Sequence, residues 1–461
     1  AYGVVLSETG TVLARNSGTI TAGEHGLSSE NRVALSASGK QVASQGNLAG
    51  RARPGWEGNA SVNATSWAEP SPSESLKLFQ ENFGRQFTGP TRGQSVGRQT
   101  IVNDGDIRAE LTGIFANNEL ESSSLTDQEL RQRNEAARPG HLGPVPSDSL
   151  EAHGSQSNRG EQRAHGGDWT YAGYLSVENN GRIHSEDNGI SLAHVSRVGD
   201  SVRQRLAQLN VGPAFITHEN EAEQLAEGSR GLQAGGIDIR NRGKIRSGWN
   251  GIFASSLTDW SSDTTQFLLQ ESRSEEGKPP AALANRPGSS PGRHLASQRH
   301  LEGDHGFAGA IEISNEGTIE AVGAGIWPWN TVSARTTVEQ RYRSDPAAQT
   351  AVEQQVVGAD WTGASAVSLR NDGTITAGME GIGSLAILDI NMQVAQTSTF
   401  ASSSTQAVTL KVGERAAAMN MENRGDIVSG WEGISAPSVL RVELDVEQSA
   451  ASAGTASQLV E

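Results

Sequence analysis

Two carboxylates, Glu316 and Asp372, stand at equivalent places in two copies of one sequence unit, each directly after an asparagine. Stacked copies would make the two acids neighbours, and a separation near 5 Å suits the nucleophile and acid of a retaining glycosidase. The same position elsewhere reads Ser17, Asp104, Asn180, Arg242 and Arg424. A solvated ladder of alternating charge therefore explains the acids without catalysis, and no catalytic residue is assigned. Ten histidines are present, and His153 and His165 flank a polar loop, yet no HExxH or comparable ligand spacing occurs. No metal site and no cofactor motif are assigned. Calcium on scattered Asp and Glu lacks the glycine-aspartate nonapeptide array that would support it. Trp56, Trp249 and Trp431 share the setting Gly-Trp-(Glu/Asn)-Gly, and Trp169 and Trp361 share Gly-x-Asp-Trp-Thr. Exposed indoles could stack on sugar rings. Because they recur with the repeat, packing between a coil and its insertion is the preferred reading. The sequons at Asn59 and Asn63 need no explanation beyond chance in a chain rich in Asn, Ser and Thr.

What must position these side chains is a repeat. Asn-x-Gly-x-Ile, followed by Gly-Ile or Gly-Leu, occurs in seven gap-free copies starting at Asn16, Asn103, Asn179, Asn241, Asn315, Asn371 and Asn423. The glycines are Gly18, Gly105, Gly181, Gly243, Gly317, Gly373 and Gly425. Intervals between the asparagines are 87, 76, 62, 74, 56 and 52 residues. Such a recurrence is the mark of a repeat architecture. Upstream of each Asn the apolar residues alternate, as in Ile237 and Ile239 or Ile311 and Ile313, which reads as a strand with one buried face. The glycine after the Asn suits a turn with positive φ. An inward Ile follows, then a second glycine turn and a third short strand.

Three short strands in about one twenty-residue unit make one coil of a parallel β-helix, whose stacked copies lie about 4.8 Å apart. Like residues then form ladders, with aliphatics inside and asparagine at the corner, where each amide bonds the next. The fold class is thus all-β, a parallel β-helix solenoid with long β-hairpin and short helical insertions between coils. Coil units fall near 10–30, 97–117, 173–193, 235–255, 309–329, 365–385 and 417–437, with a degenerate eighth near 42–62 that keeps Gly50 and Gly-Trp-Glu-Gly. Insertions occupy 61–96, 118–172, 194–234, 256–308, 330–364 and 386–416. Residues 385–418 alternate on two limbs and read as a hairpin. Helices are expected at 71–83, where Ser71, Pro72 and Glu74 form a start signal, at 126–137 and at 200–210. The stretch 271–303 reads as a flexible loop.

Composition agrees. The chain has 461 residues, 54 of them glycine, well above the usual share, which favours turn-rich β structure. It has no cysteine, which excludes disulfides and thiolate metal sites. A formal net charge of −16 argues against general nucleic-acid binding. No apolar run is long enough for a membrane-spanning helix. The opening residues read as the returning limb of a hairpin and the closing residues as the outgoing limb, so the chain is expected to be part of a longer array or to pair with copies of itself head to tail.

The repeated unit resembles the passenger domains of bacterial autotransporters and is similar to filamentous-haemagglutinin-type adhesins, over about residues 10–436. That resemblance implies a right-handed β-helix, export, an extracellular or cell-surface place, and an adhesive or structural role. The partners it implies are further copies of the chain and glycans of a host or matrix. The alternative is a polysaccharide-binding or polysaccharide-degrading β-helix.

Overall fold

The computed structural model describes residues 5–6, 10–49, 76–89, 91–93, 96–136, 152–169, 172–213, 217–228, 230–275, 292–302, 305–345, 348–361, 366–412 and 418–460. They form a parallel β-solenoid of seven stacked coils with no helix among them. Each coil begins with a corner strand that ends on the repeat asparagine. These strands are Val12–Asn16, Val96–Asn103, Ala172–Asn179, Arg230–Asn241, His305–Asn315, Val367–Asn371 and Met419–Asn423. After a turn comes a four-residue strand, such as Asp106–Ala109, Arg182–Ser185 or Lys244–Ser247. The seven short strands make a sheet of their own, all parallel and in register. Then a long outgoing limb leaves the corner, for example Ile114–Ala136, Ile190–Pro213 and Ile252–Glu275, and a returning limb brings the chain back to the next coil.

The core at the corner is aliphatic because every second residue of the three sides points inward. Ile107, Ile183, Ile245, Ile319 and Ile375 form one fully buried column from the short sheet. Leu175, Ile237, Ile311 and Val367 come from the corner strands, and Ile114, Ile190, Ile252 and Ile326 from the start of the outgoing limbs. Each Ile is buried against its own copy one rung away, at roughly 1.5–3 kcal/mol per side chain.

The segments expected as insertions differ from that expectation. Residues 126–136 and 200–210 are not helical: they lie in Ile114–Ala136 and Ile190–Pro213, paired in parallel register, with Thr126 beside Val202 and Asn134 beside Asn210. Helix 71–83 also gives way to strand Leu76–Thr88, while its start signal at Ser71, Pro72 and Glu74 lies outside the described residues. Helical periodicity misleads here because both faces of the limbs are patterned: one faces solvent, the other an interior in which buried amides are interspersed with Leu and Val, as Gln128, Leu130 and Gln132 are. The loop reading fails at its two ends, since Ile252–Glu275 and Arg293–Leu301 are strands.

Residues 385–412 are not a hairpin. The first limb pairs in parallel with Trp329–Arg343 and the second with Ala351–Trp361, each on the neighbouring coil. The two limbs meet through side chains instead, as where the Ser398 and Ser404 hydroxyls lie 2.8 Å apart. This is an arch, and stacked arches build a flat two-layered arm. The described part of the degenerate eighth unit is not the start of a coil either. Asn16 stacks directly on Asn103, and residues 42–49 belong to the outgoing limb Leu27–Ala49 beside Glu129–Ala136. The rest of that unit, with Gly50 and Trp56, lies outside the described residues, as do Asn59 and Asn63.

Candidate functional site

The asparagine column forms an unbroken chain of side-chain hydrogen bonds. Asn16 Nδ2 donates to Asn103 Oδ1 at 2.8 Å, Asn103 to Asn179 at 2.7 Å, and the series continues through Asn241, Asn315, Asn371 and Asn423 at 2.7 Å per step. Members from Asn103 to Asn371 are fully buried. The amide also reaches the carbonyl two residues ahead, as Asn103 does to Gly105 at 3.2 Å. One side chain thus closes its own turn and joins two rungs.

The turn glycines are explained by approach rather than by handedness. None of Gly18, Gly105, Gly181, Gly243, Gly317, Gly373 and Gly425 has positive φ; among the described glycines only Gly10, Gly173 and Gly309 do. A Cβ on Gly105 would overlap the carbonyl oxygen of Gly18, one on Gly181 that of Gly105, and one on Gly243 that of Gly181. The second glycine column is set the same way, since a Cβ on Gly113, Gly189 or Gly251 would strike the isoleucine methyl of the next rung.

The interior of the arm holds a feature that lies outside the Asn-x-Gly-x-Ile unit. Gln41, Gln128, Gln204, Gln266, Gln340, Gln396 and Gln448 form a second ladder, with steps of 2.7–3.1 Å from Nε2 to Oε1. Facing it across the arm, Gln86, Gln162, Gln224, Gln298, Gln354, Gln406 and Gln458 form a third, with steps of 2.7–3.1 Å. Each ladder also bonds the opposite limb's backbone, as Gln340 Nε2 does to Gln355 O at 3.2 Å. Nearer the tip, Asn82, Asn134, Asn158, Asn210 and Asn220 interlock across the two limbs. In the next rung His294 replaces asparagine: Asn220 Nδ2 lies 3.2 Å from His294 Nε2, and Ser344 Oγ lies 2.6 Å from Nδ1. Burial lowers the pKa of His294 to about 4, with neighbouring His218 adding to the effect, and burial does the same for His194 and His218.

The candidate carboxylates sit in the exposed turn column, each held by arginine. Arg242 bridges Glu178 at 2.6 Å and Glu316 at 3.4 Å, and Arg370 holds Asp372 at 2.6 Å. Asp104 accepts from Asn180 and Arg15, which keeps its carboxyl below the ordinary range. Among the described residues no three His, Asp or Glu side chains gather as a metal cage would require. His165 packs edge-on to Phe87 and pairs with Glu227, and His153 lies in the returning limb Ala152–His165. Trp249 is 50% exposed and Trp431 72% exposed, on the solvent side of the second turn. Trp169 and Trp361 lie in returning-limb strands, registered respectively with Gly231 and His305 of neighbouring coils.

One face carries charge that is not internally balanced. The short sheet points two side chains per rung outward. In coils two to four these are Asp106 and Arg108, Arg182 and His184, and Lys244 and Arg246, stacked in register. Lys244 Nζ reaches Glu320 at 2.6 Å. Arg108, Arg182 and Arg246 meet no carboxylate among the described residues. On either side the same positions read Thr19 and Thr21, Thr318 and Glu320, and Thr374 and Thr376.

No family model matches the chain, and neither a curated protein nor a solved structure is significantly similar to it.

Proposed function

We propose that the protein is a structural and adhesive β-solenoid of a bacterial surface or extracellular matrix, extended by coil-on-coil stacking into a filament or within a longer fibre. The supporting observation is that all seven coils carry the same columns in one register. The first and seventh coils both present the corner asparagine and the two glutamine ladders: Asn16, Gln41 and Gln86 at one face, Asn423, Gln448 and Gln458 at the other. The limbs Leu27–Ala49 and Ser438–Val460 are each paired on one side only among the described residues. A long, flat strand edge of this kind is a template for another copy. A head-to-tail contact that does not close generates a filament. Export and a surface location rest on the resemblance of the repeat to autotransporter passenger and haemagglutinin-type sequences.

Light scattering and electron microscopy of the purified chain over a range of concentrations test the assembly. Rods that lengthen with concentration and give an axial reflection near 4.8 Å are expected. Leu440→Lys with Val442→Lys places charge on the face formed by the seventh coil, where these side chains are 53% and 43% exposed, and is expected to shorten the rods. A monomer at every concentration refutes the self-assembly.

A further inference from the structure

We propose that the outer face of the short sheet in coils two to four binds a single strand of linear acidic polysaccharide, laid along the solenoid axis. The inference deepens the adhesive reading by naming the chemistry of what is held. Six outward positions in these three rungs carry Arg108, Arg182, Lys244 and Arg246, together with His184 and Asp106. Parallel stacking places Arg182 between Asp106 and Lys244, His184 between Arg108 and Arg246, and Arg246 beside Glu320 of the fifth coil, so four basic side chains outnumber the two acids in their columns. Arg108 and Arg246 are therefore two rungs apart, roughly 10 Å at the strand spacing. Elsewhere the arginines of the turn column are satisfied by carboxylates, as Arg242 is by Glu178 and Glu316. On the short sheet three guanidiniums are left facing solvent in a chain of formal net charge −16. They form a row of forked donors suited to carboxylate or sulfate groups.

The shape of the row selects the partner. It is two side chains wide. Exposed Glu110 and Glu186 lie just past one edge, in the turns that follow the strands, and Glu178 and Glu316 lie by the other. A duplex or a membrane surface is broad enough to meet these acids and be repelled; one narrow anionic chain is not. In the fourth coil Gly248 takes the place of the flanking Glu, and half-exposed Trp249 follows it, offering an indole face to a sugar ring. Single-stranded nucleic acid is gripped by successive aromatic rings, and the outward positions of these three rungs carry a single ring, that of His184.

The test is binding of the full-length chain to polygalacturonate and to dextran sulfate at low ionic strength, with neutral dextran and oligo(dT) as comparisons. We expect binding to one or both acidic polymers, none to dextran, and weakening as salt rises past ~0.15 M, where the screening length is about 8 Å. Preference between the two polymers tells carboxylate from sulfate. The triple variant Arg108→Ser, Arg182→Ser, Arg246→Ser is expected to bind at least about tenfold more weakly, since it removes three charge-assisted contacts. Single substitutions should each cost a few-fold, which keeps the test decisive if the triple variant folds poorly. Arg131→Ser with Arg133→Ser, on the arm where Glu129 and Glu135 pair these residues, should leave binding unchanged. The proposal is overturned if neither acidic polymer binds, if the triple and single variants bind like the parent, or if oligo(dT) binds more tightly than both. Rod assembly is measured separately. Rods without polymer binding refute this inference alone, and binding by a monomer refutes the assembly alone.

Discussion

Replacing Gln340 tests whether the arm is held together by its glutamine ladders. Gln340 is fully buried. Its Nε2 reaches Gln266 Oε1 at 2.8 Å, Gln298 O at 3.1 Å and Gln355 O at 3.2 Å, and its Oε1 accepts from Gln396 Nε2 at 2.8 Å. In Gln340→Leu the volume is nearly kept, but Gln266 Oε1 loses its donor. Gln396 Nε2 is left with only the 3.4 Å bond to Ala407 O. One buried acceptor orphaned and one donor left with a single long bond, at ~1–3 kcal/mol each, less some gain from the apolar replacement, give a loss of about 2–4 kcal/mol. Gln340→Glu differs in sign with pH. A buried carboxylate facing the Gln266 carbonyl oxygen is disfavoured as the anion, so its folded-state pKa is raised above the unfolded value. Its protonated form is the stable one, and the damage seen at neutral pH should be partly relieved as pH falls toward 5. Urea unfolding followed by far-ultraviolet circular dichroism, with hydrogen exchange of amides 334–344, reads both effects. In a stack where each rung touches only its neighbours, lost protection should centre on coils four to six. A Leu variant within about 0.5 kcal/mol of the parent, or a Glu variant indifferent to pH, refutes the ladder as a source of stability.

The remaining predictions concern the corner and the buried histidines. Gly243→Ala should cost more than the usual surface glycine change, about 2 kcal/mol or above, because its Cβ would overlap the Gly181 carbonyl oxygen and force the rungs apart. Thermal unfolding of Gly243→Ala against Gly433→Ala, where a Cβ meets nothing within 4 Å, isolates the effect. His194, His218 and His294 have folded pKa values of about 4 against an ordinary 6.5, so the unfolded chain binds more protons between those limits. Stability should therefore be full above pH 6.5 and fall as pH drops toward 4, by about 3 kcal/mol per histidine. Protonated His294 would also turn a donor toward the Asn220 amide, now its donor. His294→Asn should flatten part of that pH dependence, as measured by urea midpoints across the range.

The corner was legible in the sequence because its constraints act at fixed short spacings. Asn-x-Gly-x-Ile records a side-chain ladder, a close backbone approach and a core column within five residues. The arm is harder to read because its columns lie outside the repeated coil unit. Yet its signal is as regular: each outgoing glutamine falls 25 residues after the corner asparagine, from Asn16 to Gln41 through to Asn423 to Gln448. Each returning glutamine falls 17 residues before the next asparagine, as Gln86 does before Asn103 and Gln406 before Asn423. Only the stretch between the two glutamines changes length. Helix signals at 126–137 and 200–210 failed for a physical reason. On the inward face buried Gln and Asn are interspersed with Leu and Val, as Gln128, Leu130 and Gln132 are, so the apolar residues are too sparse there to reveal the period of two.

That division of labour also separates scaffold from recognition. The arm buries amides, and an amide column admits only residues that complete its hydrogen bonds, as His294 does beyond Asn220 and Tyr342 beyond Gln270, because a break leaves donors and acceptors unpaired on both sides. Such columns have no freedom to encode a ligand. The short sheet is the opposite case. Its inward isoleucines are fixed, while its outward positions run from Thr19 and Thr21 to Lys244 and Arg246 to Thr374 and Thr376 without loss of register. Positions that geometry leaves free are where charge can be written, and stacking then displays that charge at the pitch of the strands. Arg108, Arg182 and Arg246 lie in such positions, so their removal should leave unfolding unchanged while weakening polyanion binding at least about tenfold. Gln340, in a fixed column, should behave the other way round.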